Sequence, residues 1–185
     1  NYISACQITL RRVEGDNLPE KPRITTGLDN ASQALNHASQ VITNLREFLR
    51  KGETKREAVT IGHALQIAKD LIAAELRRKH VVLHTTIPND LPDAHANNVH
   101  VQQVLLNLLR NAIDALEKQP HDQRHIWVTA GLSEELIKVA VCDNGVGLEG
   151  SIEHEQLFDT FFSTKDDGLG IGLAISRNLL EMHGG

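Results

Sequence analysis

Cysteine is scarce: the 185-residue chain has two, Cys6 and Cys142. Two thiols build no disulfide framework, and they suit a reducing cytoplasm. Long apolar runs are missing too, so no segment reads as a membrane-spanning helix, and no secretory signal is present. Positive charge is not in excess. The 19 Lys and Arg against 24 Asp and Glu leave a formal net charge of -5, which argues against a general nucleic-acid surface. An initiating methionine is lacking; the chain opens on Asn1-Tyr2 and closes on Gly184-Gly185 straight after a helical pattern, so the expectation is a piece of a longer protein. What remains is 41% apolar and 23% charged, the composition of an ordinary globular protein with room for one medium domain or two small ones.

Tyr2 to Val13 reads as a helix with Ile3, Cys6, Leu10 and Val13 on one face, broken by the cluster Gly15, Asn17, Pro19. From Leu28 onward, Leu28, Ala31, Leu35, Ala38, Ile42, Leu45 and Leu49 alternate steps of three and four, with Ala34, Val41 and Phe48 widening the stripe. That is the seam of a coiled coil or bundle. Two helices alone cannot bury so wide a stripe, so residues 1–54 read as a hairpin that pairs with a second copy into a dimeric four-helix bundle. The competing reading packs the hairpin on the chain's own second domain. The polar run from Lys51 to Arg56 marks the boundary.

In residues 55–185 the pattern changes. Ala58 to Ile61 reads as a short strand, and Leu65, Ala68, Ile72 and Leu76 as a helix ending in Arg77-Arg78-Lys79, a basic run favoured at a helix C-terminus. Val81 to Ile87 is a strand by its β-branched content, and Pro88 to Asp93 a loop. Ile126 to Leu132 and Leu136 to Cys142 form an antiparallel hairpin through Ser133-Glu134-Glu135, and Ile171 to Met182 is the last helix. The predicted class is α+β: the helical hairpin, then a sandwich with helices on one face of a mixed sheet.

Chemistry concentrates in the helix around Gln103 to Asp114. Val101, Val104, Leu105, Leu108, Ala112 and Leu116 form its core stripe, bordered by Gln103, Asn107, Asn111 and Asp114. Asparagine is a mediocre helix former, so two of them spaced i, i+4 beside the core need a reason. Either they merely border the core, or they are neutral oxygen ligands for a hard cation and its phosphates. After the hairpin comes Asp143-Asn144-Gly145-Val146-Gly147. A carboxylate at a strand end accepts a hydrogen bond from an exocyclic amine such as that of adenine, and glycines let the backbone lie against a flat ring; an ordinary Asp-Asn-Gly turn is the other reading. Three of the four phenylalanines, Phe158, Phe161 and Phe162, fall in one polar loop with Lys165, as expected for a flap that closes over a ligand. Lys165 is then either a phosphate ligand or a solvated lysine. Gly168-Leu169-Gly170-Ile171-Gly172-Leu173 opens the last helix, where exposed N–H groups suit an anion.

These motifs, in this order, resemble those of sensor histidine kinases. Asn107-Leu-Leu-Arg-Asn111-Ala is similar to their N box, Asp143 to Gly147 to the first glycine box, Leu157 to Phe162 to the F box, and Gly168 to Leu173 to the second glycine box. The heptad hairpin looks like their dimerisation and phosphotransfer domain. Phe48 to Glu53 and Phe162-Ser163-Thr164-Lys165 suggest the oxygen- and dicarboxylate-sensing subgroup. The resemblance implies a Bergerat-type ATP-binding fold with its C-terminal strands missing. It implies ATP with adenine on Asp143, and Mg²⁺ on Asn111. Asn107, Asp114, Gly145, Gly147, Phe158 and Lys165 line the nucleotide, whose phosphates lie under Gly168 to Leu173. Asn107, Asn111 and Lys165 are the residues it assigns to catalysis.

ATPase relatives of gyrase and MutL type carry a water-activating glutamate where this chain has Asn107, and a neutral amide cannot act as a base. Slow hydrolysis and γ-phosphate transfer are therefore expected. The family's His-Glu/Asp-x-x-x-Pro acceptor is absent among the ten histidines. His37 reads as an exposed helix residue, and the acceptor is expected upstream. His121 and His125, without a third ligand, read as a solvated loop. The implied function is histidine autophosphorylation followed by transfer to an aspartate of a response regulator, in a cytoplasmic homodimer whose parent is either free or anchored in the inner membrane. A nucleotide-gated dimeric scaffold without phosphotransfer, and a serine kinase or ATPase of the same superfamily, are the alternatives.

Overall fold

The computed structural model describes residues 55–148, 153, 155–160, 162–163 and 170–185. The expected hairpin of residues 1–54, with His37, lies outside them. The described chain runs β1 (Glu57–Val59), α1 (Ile61–Arg78), β2 (Val82–Thr86), β3 (Ala94–Ala96), α2 (Asn98–Ala115), β4 (His125–Ser133), β5 (Leu136–Asp143) and α3 (Gly172–Glu181), with single 3-10 turns at His121–Gln123 and Gln156–Phe158. β2, β4 and β5 make a mixed sheet, β2 parallel and β5 antiparallel to β4, while β1 and β3 form a separate antiparallel pair. The mixed α+β sandwich matches the predicted class. β3 was not legible within the loop before α2, and Ile61, read as strand, is the buried first residue of α1.

α1 buries Ile61, Ala64, Leu65, Ala68, Ile72 and Leu76, spacings that keep one stripe against the core. It ends in a Schellman turn: Val81 N donates to Leu76 O (2.9 Å) and His80 N to Arg77 O (3.2 Å). His80 therefore takes the left-handed position usually given to glycine, at φ 54°. Leu76 and Val81, at the two ends of that turn, are both buried in the main core.

α2 is the middle layer. Asn97 caps it, its side chain accepting from His100 N at 3.1 Å. Leu105, Leu109, Ala112, Ile113 and Leu116 pack on α1 and the inner face of the sheet, Ile126 and Val128. Val104 and Leu108 turn the other way and pack with Ile175, Leu179, Ile171 and Met182 of the α3 region. The core stripe is thus displaced from the sequence reading: Leu109 and Ile113, both fully buried, carry it, and Val104 and Leu108 belong to a second cluster.

Arg124 joins the layers. Although buried, it donates from Nε to Gln119 O, from Nη1 to Lys79 O and from Nη2 to Glu117 O, each at 2.9 Å, while its own carbonyl accepts from Val82 N. One guanidinium satisfies the carbonyl that ends α1 and two carbonyls beyond α2. The His100–His183 contact (3.2 Å) links the start of α2 to the second residue after α3. His183 is held below its ordinary pKa, first by desolvation and then by His100, Arg56 and His95. Its Nδ1 is buried with no hydrogen-bond partner among the described residues, so a second ring proton would find no acceptor there.

Three outcomes are expected from these contacts. Arg124→Leu strands the carbonyls and lowers the unfolding free energy by about 3 kcal/mol, measured by urea titration. The two-residue turn Glu134–Glu135, with φ of 51° and 71°, has the signs of a primed hairpin turn; replacing the pair by Asn-Gly raises stability by about 1 kcal/mol in the same assay. Because the folded pKa of His183 lies below the unfolded value, the unfolded chain takes up the extra proton first as pH falls through 6.5. Stability therefore declines on acidification below that pH, and His183→Gln flattens this part of the thermal-midpoint profile.

Candidate functional site

The stripe Gln103, Asn107, Asn111, Asp114 runs along α2 at steps of four, four and three, which place it on one face. Asn107 is buried and bonded: its Nδ2 donates to Gly172 O at 3.2 Å and Ser176 Oγ at 3.3 Å, while Ser176 Oγ itself donates to Gly172 O at 2.9 Å. The amide thereby fixes the first turn of α3 against α2. One helical turn on, Asn111 is half-buried and makes no side-chain hydrogen bond to another described residue. Its carbonyl oxygen is uncommitted, as a ligand for a hard cation must be. Asp114 is engaged at 3.5 Å by Lys79, whose Nζ also meets Glu117 at 2.7 Å.

β5 ends at Asp143, and the turn behind it is held from several sides. Asp143 Oδ1 accepts from Gly145 N at 2.9 Å, Asn144 Oδ1 from His125 N at 2.9 Å, and Asn144 Nδ2 donates to Gln123 O at 2.7 Å. Val146 N reaches Ala115 O, the last residue of α2. A Cβ on Gly145 would stand 2.5 Å from that same oxygen. Gly145 is therefore required by the α2 carbonyl, where the sequence suggested the face of a ring. Gly147, at φ 69°, is required by its backbone angle. The result sets the exposed carboxylate of Asp143 beside the C-terminal end of the helix that presents Asn111.

At the other end of the stripe, no side chain of the described residues caps α3. Its first-turn N–H groups, led in by Gly170 at φ 62° and Ile171, receive no side-chain cap from the described residues, the arrangement that suits an anion. Gly172 and Leu173 complete the described part of the glycine motif. Phe158 is more than a third exposed and lies under the Arg177 guanidinium, 5.5 Å from ring centroid to Cζ, so a cation–π contact ties the Gln156–Phe158 turn to α3. Phe161, Lys165, Gly168 and Leu169 lie outside the described residues. His121 and His125 separate: His121 stacks on His80 and His125 bonds to His84, so His125 belongs to a strand and not to a solvated loop. Sequence spacing missed Arg124, Ser176 and Arg177, whose contacts with Lys79 O, Asn107 and Phe158 are made only by folding.

Residues 96–185 match the family described as histidine kinase-, DNA gyrase B- and HSP90-like ATPases. The sensor protein FixL of Bradyrhizobium diazoefficiens is 35% identical over 186 residues, an alignment covering 100% of this chain and 36% of FixL. The catalytic domain of the histidine kinase ThkA superposes with a TM-score of 0.60 at 26% identity, over 69% of this chain and 81% of that one. ThkA in complex with the response regulator protein TrrA gives 0.63 over 100% of this chain and 51% of that one, at 19% identity, a likeness of fold. The chain spans about a third of the length of the first curated relatives it matches. With an asparagine row on α2, a strand-end carboxylate on β5 and a glycine-led helix α3 following one another in the chain, residues 96–185 form a domain of the histidine kinase-, DNA gyrase B- and HSP90-like ATPase family.

Proposed function

We propose that this chain is the catalytic core of a sensor histidine kinase, which binds Mg-ATP and passes the γ-phosphate to a histidine upstream of Asn1, and from there to an aspartate of a response regulator receiver domain. The observation that carries the reading is the pairing of one spent amide with one free amide on α2. Asn107 is committed to Gly172 and Ser176, and Asn111 one turn away is uncommitted.

Asp143 takes the adenine amino group: an ionised carboxylate only accepts, so it favours a base that donates at that position. Its own bond from Gly145 N fixes the carboxylate's direction before the base arrives. The uncapped α3 N-terminus receives the phosphates on backbone N–H groups, and Lys165 with Gly168 and Leu169 covers them from the adjoining segment. The donor set suits Mg²⁺, which takes oxygen ligands and keeps part of its water shell, with Asn111 as the protein ligand. When bound, the ion neutralises phosphate charge. Transfer then rests on positioning and charge neutralisation by these groups.

Asn107 stands where a hydrolytic relative needs a base, and an amide whose Nδ2 already donates two hydrogen bonds removes no proton from water. That favours transfer over hydrolysis. Pairing with a second copy through residues 1–54, the receiver-domain partner and a cytoplasmic site for a parent with its own sensing region complete the proposal. The ThkA complex with its response regulator supports the partner. Among the described residues no helix is long and apolar enough to cross a membrane.

The test is incubation of the chain, extended upstream by one helix, with Mg²⁺ and γ-labelled ATP. Base-stable, acid-labile label is expected, absent in Asp143→Asn, which loses nucleotide affinity at least tenfold while its circular dichroism is unchanged. Asn111→Ala keeps nucleotide affinity in EDTA within about threefold and loses labelling by at least a hundredfold. Acid-stable label would overturn the histidine assignment in favour of a serine-directed relative, and nucleotide binding without any label would favour a nucleotide-gated scaffold.

A further inference from the structure

The outer face of the β2-β4-β5 sheet, turned away from the helices, carries an arrangement that the nucleotide site does not use. His84 of β2 and His125 of β4 approach to 3.1 Å between Nε2 and Nδ1. Trp127 of β4 is the register partner of His84, and its ring lies 5.5 Å from His84 and 5.6 Å from His125 at interplanar angles of 13° and 29°. The two imidazoles also stack on each other, centroids 5.4 Å apart. His84 is exposed and His125 half-buried, so solvent reaches the pair. Alternation along the strand puts His125 and Trp127 on one face while Ile126 and Val128 fill the core.

We propose that His84 and His125 form a bidentate site for a late first-row divalent cation such as Zn²⁺, Ni²⁺ or Cu²⁺. Imidazole nitrogens are the ligands these ions prefer. Two nitrogens held at 3.1 Å, with metal–nitrogen bonds of about 2.05 Å, subtend about 98° at the metal, between the octahedral and tetrahedral angles. Loading replaces the hydrogen bond between the rings by two bonds to the cation, and the ring whose coordinating nitrogen carried the proton keeps it on its other nitrogen, so each imidazole stays neutral. The rings are placed in advance by rigid strands and the indole, so little side-chain freedom is lost on binding. Among the described residues no cluster of three or more His, Cys, Asp and Glu is arranged around a metal, so water fills the remaining positions.

The other close histidine pairs among the described residues do not offer this. His100 is buried and faces His183 at 3.2 Å between α2 and the end of α3, so that pair is less open to solvent than His84 and His125. His80 and His121 stack with centroids 4.9 Å apart but make no contact between ring nitrogens of the kind that joins His84 to His125. The site clamps β2 to β4 immediately behind the turn at Asn144, which the His125 N–H helps to hold.

Trp127 is the chain's only tryptophan, so its fluorescence reports this face alone. Titration of the protein with Ni²⁺, an open-shell ion that does not oxidise thiols, is expected to give saturable quenching that Zn²⁺ reverses, together with a Zn²⁺-dependent rise in thermal midpoint. His84→Ala and His125→Ala, both at solvent-accessible positions, are each expected to weaken the Ni²⁺ affinity at least tenfold and to abolish the rise, while His80→Ala changes neither. Linear quenching that never saturates, or saturable quenching of equal affinity in His84→Ala, overturns the proposal.

Discussion

The proposed nucleotide site and the sheet behind it both hang on α2 being buried from two sides. Leu105, Leu109, Ala112, Ile113 and Leu116 go to α1 and the sheet, and Val104 and Leu108 to α3. A helix in that position has only a narrow strip left to face anything else. On this helix the strip carries amides, and because its neighbours are fixed by packing on both flanks, the amides are fixed as well. Full burial of a Leu or Ile side chain contributes about 1.5–3 kcal/mol, so the hydrophobic flanks easily outweigh the cost of asparagine in mid-helix, about 0.7 kcal/mol at most.

The strip then divides its labour by position. Asn107 lies opposite Gly172 and spends its donors on the α3 first turn, whose carbonyl and serine it satisfies. Asn111 has no such neighbour among the described residues. At the C-terminal end, the turn after β5 docks through Gly145 onto the Ala115 carbonyl, an approach too close for any side chain. These contacts connect the two ends of the proposed site through one rigid element, so the spacing between the Asp143 carboxylate and the N-terminus of α3 is set by the length of α2. A uniform row of ligands would lack the fixed end that Asn107 provides.

Stability and chemistry are kept apart in the sheet. Its inner face is closed by Ile126 and Val128, while the outer face bears His84, Trp127 and Cys142 in register across three strands. The exposed side is free to carry polar function because the helices already supply the core. Arg124, at the foot of β4, ties the sheet to the ends of α1 and α2 by carbonyl contacts that no hydrophobic pattern encodes.

Helical and alternating periodicities, set by residues three, four or two apart, made α1, α2, α3 and the β4–β5 hairpin legible, and with them the order of the asparagine, carboxylate and glycine motifs. Asn97 as a cap and Arg77-Arg78 at the end of α1 belong to the same local grammar. The α2 core stripe was only half readable, because a helix buried on two sides has no single apolar face and Leu109 and Ile113 cannot be ranked above Val104 and Leu108 by spacing. Tertiary structure alone decided which amide is spent, since Gly172 and Ser176 lie 65 and 69 residues from Asn107. It alone paired His84 with His125 and His100 with His183, 41 and 83 residues apart. The left-handed turns at His80 and Glu134–Glu135 were invisible for a related reason: no glycine marks them, and the strain there is offset by the Schellman bonds and the strand ladder that close around them. Local order is written in short-range side-chain spacing; the identity of each partner depends on which distant surfaces the core brings together.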